Sequence, residues 1–490
     1  MGKDLVAAAF SPHDRVVFRR KVRRCLDVLA DMLGTVPFQA DGPTAGLEIE
    51  INLVDADAAP AMRNAEVLAD LGDPRFQPEL GRFNLELNVP PRPLSGDGLG
   101  EFEQDILGAL LGATECAGKD ECRLVLVGML PTLTQDHVVL ANLSDNERFR
   151  ALDAEIAGAR GDDFRIDIRG AERLITSSDT IAPEASCTST QFHIQVAPDD
   201  FARYWNASQA IAGIQLALGA NSPFLYGRRL WAETRIPFFE QATDARPDEF
   251  SAQGVRPRVW FGDRWIDSIL DLYEENVRYF PPLLPELNEE DPVAVRDAGK
   301  IPHLYELRMH NGTVYRWNRP VYDVSGGRPH VRVENRVLPS GPTVADLVAN
   351  AALYFGLVRR LAEDDPPIWS RLGFAAAEAN FRAGARDGME AFLTWPGVGE
   401  VPVSTLMLDV LLPHAYAGLD LLGVCPTQRD RFLGIIEGRC RTGRNGATWQ
   451  TAAVRAAEER GLDRPAALRE MTQRYLDHQQ TNEPVHTWPC

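Results

Sequence analysis

The stretch GLEIEINLVD, residues 46–55, decides how this chain is read. As a β-strand it places Leu47, Ile49, Ile51 and Leu53 on one face and Glu48, Glu50 and Asn52 on the other. Two like charges then stand side by side on a half-buried strand, with no Lys or Arg between them. Their Cβ atoms are about 7 Å apart, and carboxylates at that spacing repel unless water, a proton or a cation separates them.

Three further segments share the design. RFNLELNV (82–89) sets Phe83, Leu85, Leu87 and Val89 against Asn84, Glu86 and Asn88. STQFHIQV (189–196) sets Phe192, Ile194 and Val196 against Gln191, His193 and Gln195. HVRVENRV (330–337) sets Val331, Val333 and Val337 against His330, Arg332, Glu334 and Arg336. Glu79, in FQPELG, lies just upstream of the second segment. If the four strands join one sheet, Glu48, Glu50, Glu79, Glu86, His193 and Glu334 share one surface. Carboxylates with a single imidazole suit Mg²⁺ or Mn²⁺ and not zinc, which favours Cys and His. One such strand alone is more often a solvated sheet face. Four together, with Arg332 and Arg336 beside Glu334, favour a metal site.

Divalent metals on a carboxylate sheet with arginines nearby point to phosphoryl transfer. ATECAGKD (113–120) fails as a P-loop, because Ala113 replaces the first Gly and Asp120 the final Ser/Thr. No GxGxxG occurs. An ATP site in this chain uses neither architecture.

Composition narrows the partners. The 490 residues are 44% hydrophobic and 25% charged, as in ordinary globular proteins, with a formal net charge of −19. That charge argues against nucleic acid or an anionic membrane as the main partner and leaves small molecules, with a homo-oligomer compatible. The seven cysteines are scattered with no CxxC pair, which argues for reduced thiols and against a zinc ribbon. LVAAAF (5–10) is too short for a secretory leader, Gly2 lacks the Ser or Thr that myristoylation needs at position 6, and no apolar run spans a bilayer. The expectation is a cytoplasmic protein.

Along the chain, 11–34 reads as a helix capped by Ser11, with a basic face best explained by solvation. Helices are expected at 101–117 and 200–219, and LVLVGML (124–130) reads as a fully buried strand. Asn311-Gly312, between alternating runs in 303–320, signals a two-residue hairpin. From Thr343 onward, helices are expected to about 363, then at 374–393, 403–422, 427–437 and 449–480. The outline is α+β: a catalytic body over 1–342 and an all-helical part over 343–490 packed on it.

The ordered motifs GLEIE (46–50), PELGRFNLELN (78–88), TQFHI (190–194), GANSPFLYG (219–227), WNRP (317–320) and VRVENRV (331–337) resemble the type-2 glutamate–cysteine ligase family, also called carboxylate–amine ligases. EANFRAGARDG (378–388) and TGRNGATWQ (442–450) look familial too. The resemblance implies a curved antiparallel sheet like that of glutamine synthetase, with metals and ATP on its inner face. It implies that Glu50, Glu79 and Glu86 hold a metal near the acceptor carboxylate. Glu48, His193 and Glu334 would hold metals on the ATP phosphates. Arg336 and Arg319 would contact the γ-phosphate, Arg332 would join them at the nucleotide, and Arg235 and Asn221 would meet the substrate. The implied reaction joins a glutamate side-chain carboxylate to an amine, cysteine first among candidates, through an acyl phosphate. The long segment 310–342, the basic N-terminal helix and the residues beyond 450 depart from the shortest family members. They leave the amine open. A guanidino-type phosphotransferase and a non-catalytic metal- and nucleotide-binding module stand as alternatives, although every site carboxylate is present.

Overall fold

Alternation at residues 44–54 has the consequence its pattern dictates. In the computed structural model, which describes residues 10–40 and 42–489, Thr44–Val54 forms strand β1. Leu47, Ile49, Ile51 and Leu53 point into the core at 2% exposure or less. The leader and myristoylation readings at 2–9, and Cys490, lie outside the described residues.

Six more strands complete the main sheet: β2 (Phe76–Pro78), β3 (Asn84–Pro93), β4 (Arg123–Val125), β5 (Thr190–Val196), β6 (Asn318–Ser325) and β7 (Arg328–Asn335). Their order is β6-β7-β5-β1-β3-β2, with β4 also paired to β1, and every pairing is antiparallel. All four segments of shared design therefore lie in one curled antiparallel sheet, as their patterns require. Gly326-Gly327, at φ +56° and +76°, turns β6 into β7. Only glycine takes two successive positive φ values without steric cost.

The apolar back of the sheet rests on two helices, Phe201–Gly219 and Val344–Ala362. Phe192 stacks on Tyr354 with centroids 5.8 Å apart. Helix Phe201–Gly219 is buried all round, because helix Phe374–Asp387 closes its far side. The two helices touch where Gly384 meets Gly213, with no room for a Cβ at either position. Arg439, in helix Pro426–Thr442, reaches Asp346 at 2.8 Å and Asn350 at 2.6 Å, all three deeply buried. One hydrophobic core runs from Phe18 to Trp488. No described helix is long and apolar enough to cross a membrane.

Four local expectations are corrected. Asn311-Gly312 ends a helix, Tyr305–Gly312, and makes no hairpin. The Asn311 side chain accepts from Asn276 and donates to the Pro320 carbonyl, so tertiary hydrogen bonds outweigh its turn preference. Of the 124–130 apolar run, only Leu124 and Val125 pair as a strand, in β4. Beyond it, helix Arg464–Gln480 supplies the partners: Leu126 N donates to Gln479 Oε1 at 2.8 Å, and Tyr475 Oη donates to the Leu126 carbonyl at 2.6 Å. The C-terminal part is not all helical, since the helix begun at 374 stops at Asp387 and a ribbon pairs Phe392–Trp395 with Gly399–Pro402. Finally, 449–480 divides into helices Gly446–Glu459 and Arg464–Gln480, separated where Gly461 takes φ +96°.

Candidate active site

Register brings the front residues together. Arg319 on β6 faces Glu334 on β7, and Glu334 faces His193 on β5. Glu48 on β1 faces Gln191 on β5, and Glu50 faces Glu86 on β3. These residues occupy successive, staggered register positions on one face of five neighbouring strands.

Arginines govern one end of this face. Arg319 donates through Nε and Nη2 to both oxygens of Glu334, at 2.9 and 2.7 Å, and Arg336 Nη1 adds a third bond at 2.5 Å. Burial works against the Glu334 charge, but Arg319 and Arg336 more than reverse it and hold the carboxyl well below the usual range. Arg336 also donates to Gln191. Burial opposes ionisation of Glu48 as well, and His193 carries its net shift downward.

Arg332 Nε donates to His193 Nδ1 at 3.1 Å. A neutral ring in that contact carries its proton on Nε2, which lies 3.2 Å from Glu48 Oε1 but outside hydrogen-bond geometry. That tautomer offers a cation no lone pair. His193 can join a metal only after Arg332 releases Nδ1.

Carboxylates govern the other end. One oxygen each of Glu50, Glu79 and Glu86 lie within 4.8 Å of one another. Ser189 N donates to Glu50 at 2.6 Å, Gln191 Nε2 donates to Glu50 at 3.1 Å, and Asn88 donates to Glu86 at 2.8 Å. Burial, then Glu50, pushes the Glu79 carboxyl up to about 8. Burial, then Glu48, Glu79 and Glu50, pushes Glu86 well above its ordinary value. Burial raises Glu50 too, with Arg336 opposing. Three hard-oxygen donors that repel one another, Glu50 and Glu86 buried and Glu79 half-buried, fit a divalent cation of the Mg²⁺ or Mn²⁺ kind.

A cavity of about 60 Å³ adjoins this cluster, bounded by Glu50, Glu79, Glu184, Arg235, Trp317 and Arg336 among others. Arg235 is buried there, held by Glu233 at 3.1 Å and by the Val337 carbonyl. Asn221 is placed elsewhere. It is fully buried, donates to the Ser340 carbonyl and Tyr475 Oη, and accepts from Gln450, so its side chain pins helices and does not face the cavity.

The sequence pattern misses Glu184, Cys187, Phe239 and Tyr315, which also line the cavity. Glu184 sits in the 3₁₀ turn Ala182–Ser186, and burial pushes its carboxyl up to about 7 with Arg336 opposing. A carboxylate in a turn carries no strand alternation to betray it. The one available signal was its position six residues before the start of β5, in PEAS (183–186).

The curled antiparallel sheet gives this chain the fold of the glutamine synthetase-like ligases. The structure is similar to glutamate–cysteine ligase from Francisella tularensis in complex with AMP, at 12% identity and a TM-score of 0.50, over 92% of this chain and 96% of that one. It is also similar to a bifunctional glutathione synthetase from Pasteurella multocida, at 13% identity and 0.51, over 93% of this chain but 53% of that one. Curated protein sequences give no match. The sequence model of glutamate–cysteine ligase family 2 matches residues 44–471, and the chain belongs to that family. It is an ATP-dependent carboxylate–amine ligase, which sets aside the non-catalytic module.

Proposed function

We propose that the enzyme joins the side-chain carboxylate of glutamate to an amine, with cysteine the leading acceptor, through an acyl phosphate. One observation carries the reading: an arginine-clasped end and a carboxylate-cluster end lie together on one face of the sheet. A bare carboxylate is a poor electrophile, and phosphorylation gives it a leaving group. In the first step an oxygen of the acid attacks the γ-phosphorus of ATP, and the bond to ADP breaks. In the second the amine nitrogen attacks the acyl carbon, phosphate departs, and the amine loses a proton.

Arg319 and Arg336 would steady charge on the transferred phosphoryl group. Arg235 would orient the acid. Glu184, with its carboxyl near 7, suits the proton that leaves the amine. Glu50, Glu79 and Glu86 would hold Mg²⁺ or Mn²⁺ beside the acid, while Glu48, Glu334 and, once freed by Arg332, His193 would hold it beside the nucleotide. When bound, such cations screen the repulsion between carboxylate and triphosphate. At about 60 Å³ the cavity is far smaller than a nucleotide, so ATP sits outside it or the covering segments open. The reading sets the enzyme in the cytoplasm, beside its ATP and amino-acid supply.

The test is ADP release with Mg²⁺-ATP and L-glutamate across a panel of amines that includes L-cysteine. Stimulation by cysteine alone, with γ-glutamylcysteine found by mass spectrometry and no turnover in E48Q or E86Q, supports the full reading. Stimulation by another amine changes the acceptor and keeps the chemistry. No stimulation by any amine while ATP binds removes the reading's support.

A further inference from the structure

The basic N-terminal helix Pro12–Thr35 has no part in the chemistry above. Some of its cations are spoken for: Arg15 pairs with Glu155 at 2.5 Å, Lys21 with Glu306 at 2.8 Å and Arg24 with Asp291 at 3.0 Å. Arg19 and Arg23 have no partner among the described residues. They sit one turn apart, where like charges on a helix destabilise each other. Arg278, near the end of helix Ile269–Tyr279, is also unpaired among the described residues. All three border one cavity of about 330 Å³ that shares no lining residue with the candidate active site. Its size is that of a small-molecule site. In a chain of net charge −19, three unpaired guanidiniums converging on one hollow from two elements are a local reversal of field.

The floor adds a second, independent signal. Val22, Val277, Phe280 and Pro281 make it largely apolar, and His310 lies among them at 3% exposure. His310 Nε2 lies 2.9 Å from the Asn276 carbonyl, which can only accept, so Nε2 carries the proton. Nδ1 is then a lone pair, buried and without a partner among the described residues. A buried acceptor left unmatched is costly, and it calls for a donor. Burial, then the charges of Arg258 and Arg19, keeps the ring neutral by lowering its pKa to about 4.

We propose that this cavity binds a multivalent oxyanion that also carries a hydroxyl donor, of the class of a hydroxylated polycarboxylate. Arg19, Arg23 and Arg278 take the carboxylates, the apolar floor takes the carbon skeleton, and the hydroxyl donates to His310 Nδ1. A plain polycarboxylate would satisfy the arginines and leave His310 unmatched.

Isothermal titration of the full chain with citrate, in magnesium-free buffer of low ionic strength, tests this. Tricarballylate is the control, with the same carboxylates and no hydroxyl. Citrate is expected to bind once per chain with sub-millimolar Kd, and tricarballylate several-fold more weakly. The double variant Arg19→Ala/Arg23→Ala and the single variant Arg278→Ala are each expected to weaken citrate at least tenfold. Their melting temperature and ADP release should match wild type, since all three side chains are exposed and remote from the reaction. Raising salt to 0.15 M should weaken binding, as screening of exposed charges requires. No binding of citrate to the wild type overturns the proposal. So does binding that the arginine substitutions leave unchanged, because citrate would then occupy the catalytic site. Equal affinity for the two ligands overturns the role of His310.

Discussion

Arg319 and Glu334 stand directly opposite each other on β6 and β7, and Arg319 grips both carboxylate oxygens at once, at 2.9 and 2.7 Å. The planar fork of a guanidinium matches a carboxylate or a phosphate in two places, and an ammonium cannot. Glu334 therefore fixes the orientation of the guanidinium, on which the proposed contact with the phosphoryl group depends. Arg319→Lys keeps the charge and loses the fork. We expect its kcat to fall about 100-fold, the usual scale for one preorganised donor, with the KM for the acid little changed. Near-normal turnover in the ADP-release assay would remove Arg319 from the reaction.

Glu86 gives the opposite sign for stability and activity. Its carboxyl is buried among Glu48, Glu50 and Glu79, and each opposes its charge. Glu86→Gln keeps the shape and removes the repulsion. The metal-free variant should melt a few degrees above the wild type, corresponding to about 1–2 kcal/mol. It should be inactive, and Mn²⁺ should raise its melting temperature far less than that of the wild type. A variant that melts lower than wild type, or that gains as much from Mn²⁺, would contradict the cluster's role.

His310 predicts an acid sensitivity. Burial, then Arg258 and Arg19, lowers its folded pKa to about 4, while the hydrogen bond to the Asn276 carbonyl opposes them. The unfolded value is about 6.5. A histidine depressed in the fold adds stability that is complete above 6.5 and lost as pH falls toward 4. Between pH 7 and 5 the loss is about 2 kcal/mol, at about 1.4 kcal/mol per pH unit below 6.5. Urea unfolding at both pH values measures it. His310→Gln, which does not titrate, should lose about 2 kcal/mol less over the same interval, whatever its stability at pH 7.

Gly384→Ala tests the helix pair behind the sheet. Its Cβ would land on the Gly213 carbonyl, so the helices must part. A loss of about 2–3 kcal/mol is expected, typical of overpacking a tight core. Gly158→Ala is the control. It lies in helix Glu147–Arg160 with open space around its Cβ, and it should be neutral or slightly stabilising. Thermal melts that rank the two variants the other way would deny the close contact.

Much of this was legible in the chain because period-two alternation and sheet register are linked. Once Ile49 and Val333 face the core, Glu48, Glu50 and Glu334 must share the other face. What stayed hidden depends on partners far away in sequence. Asn311 has every local mark of a turn, yet Asn276 and Pro320 hold it at a helix end. Asn221 sits in a familial motif, and only the fold reveals that Gln450 and Tyr475 claim its side chain. Glu184 reaches the cavity from a turn, where no periodicity marks a residue as facing anything. The grip of Arg332 on His193 Nδ1 is a side-chain choice that alternation cannot encode.

The bond from Tyr475 to the Leu126 carbonyl spans 349 positions of the chain. During synthesis the backbone next to β4 leaves the ribosome long before the helix that satisfies it exists. Until then Leu126 must find its hydrogen bonds in water, and the sheet edge beside it stays open. Folding of this enzyme is thus tied to the synthesis of helix Arg464–Gln480. A nascent chain stalled before residue 475 lacks its final clasp and is exposed to proteases and to aggregation through that edge.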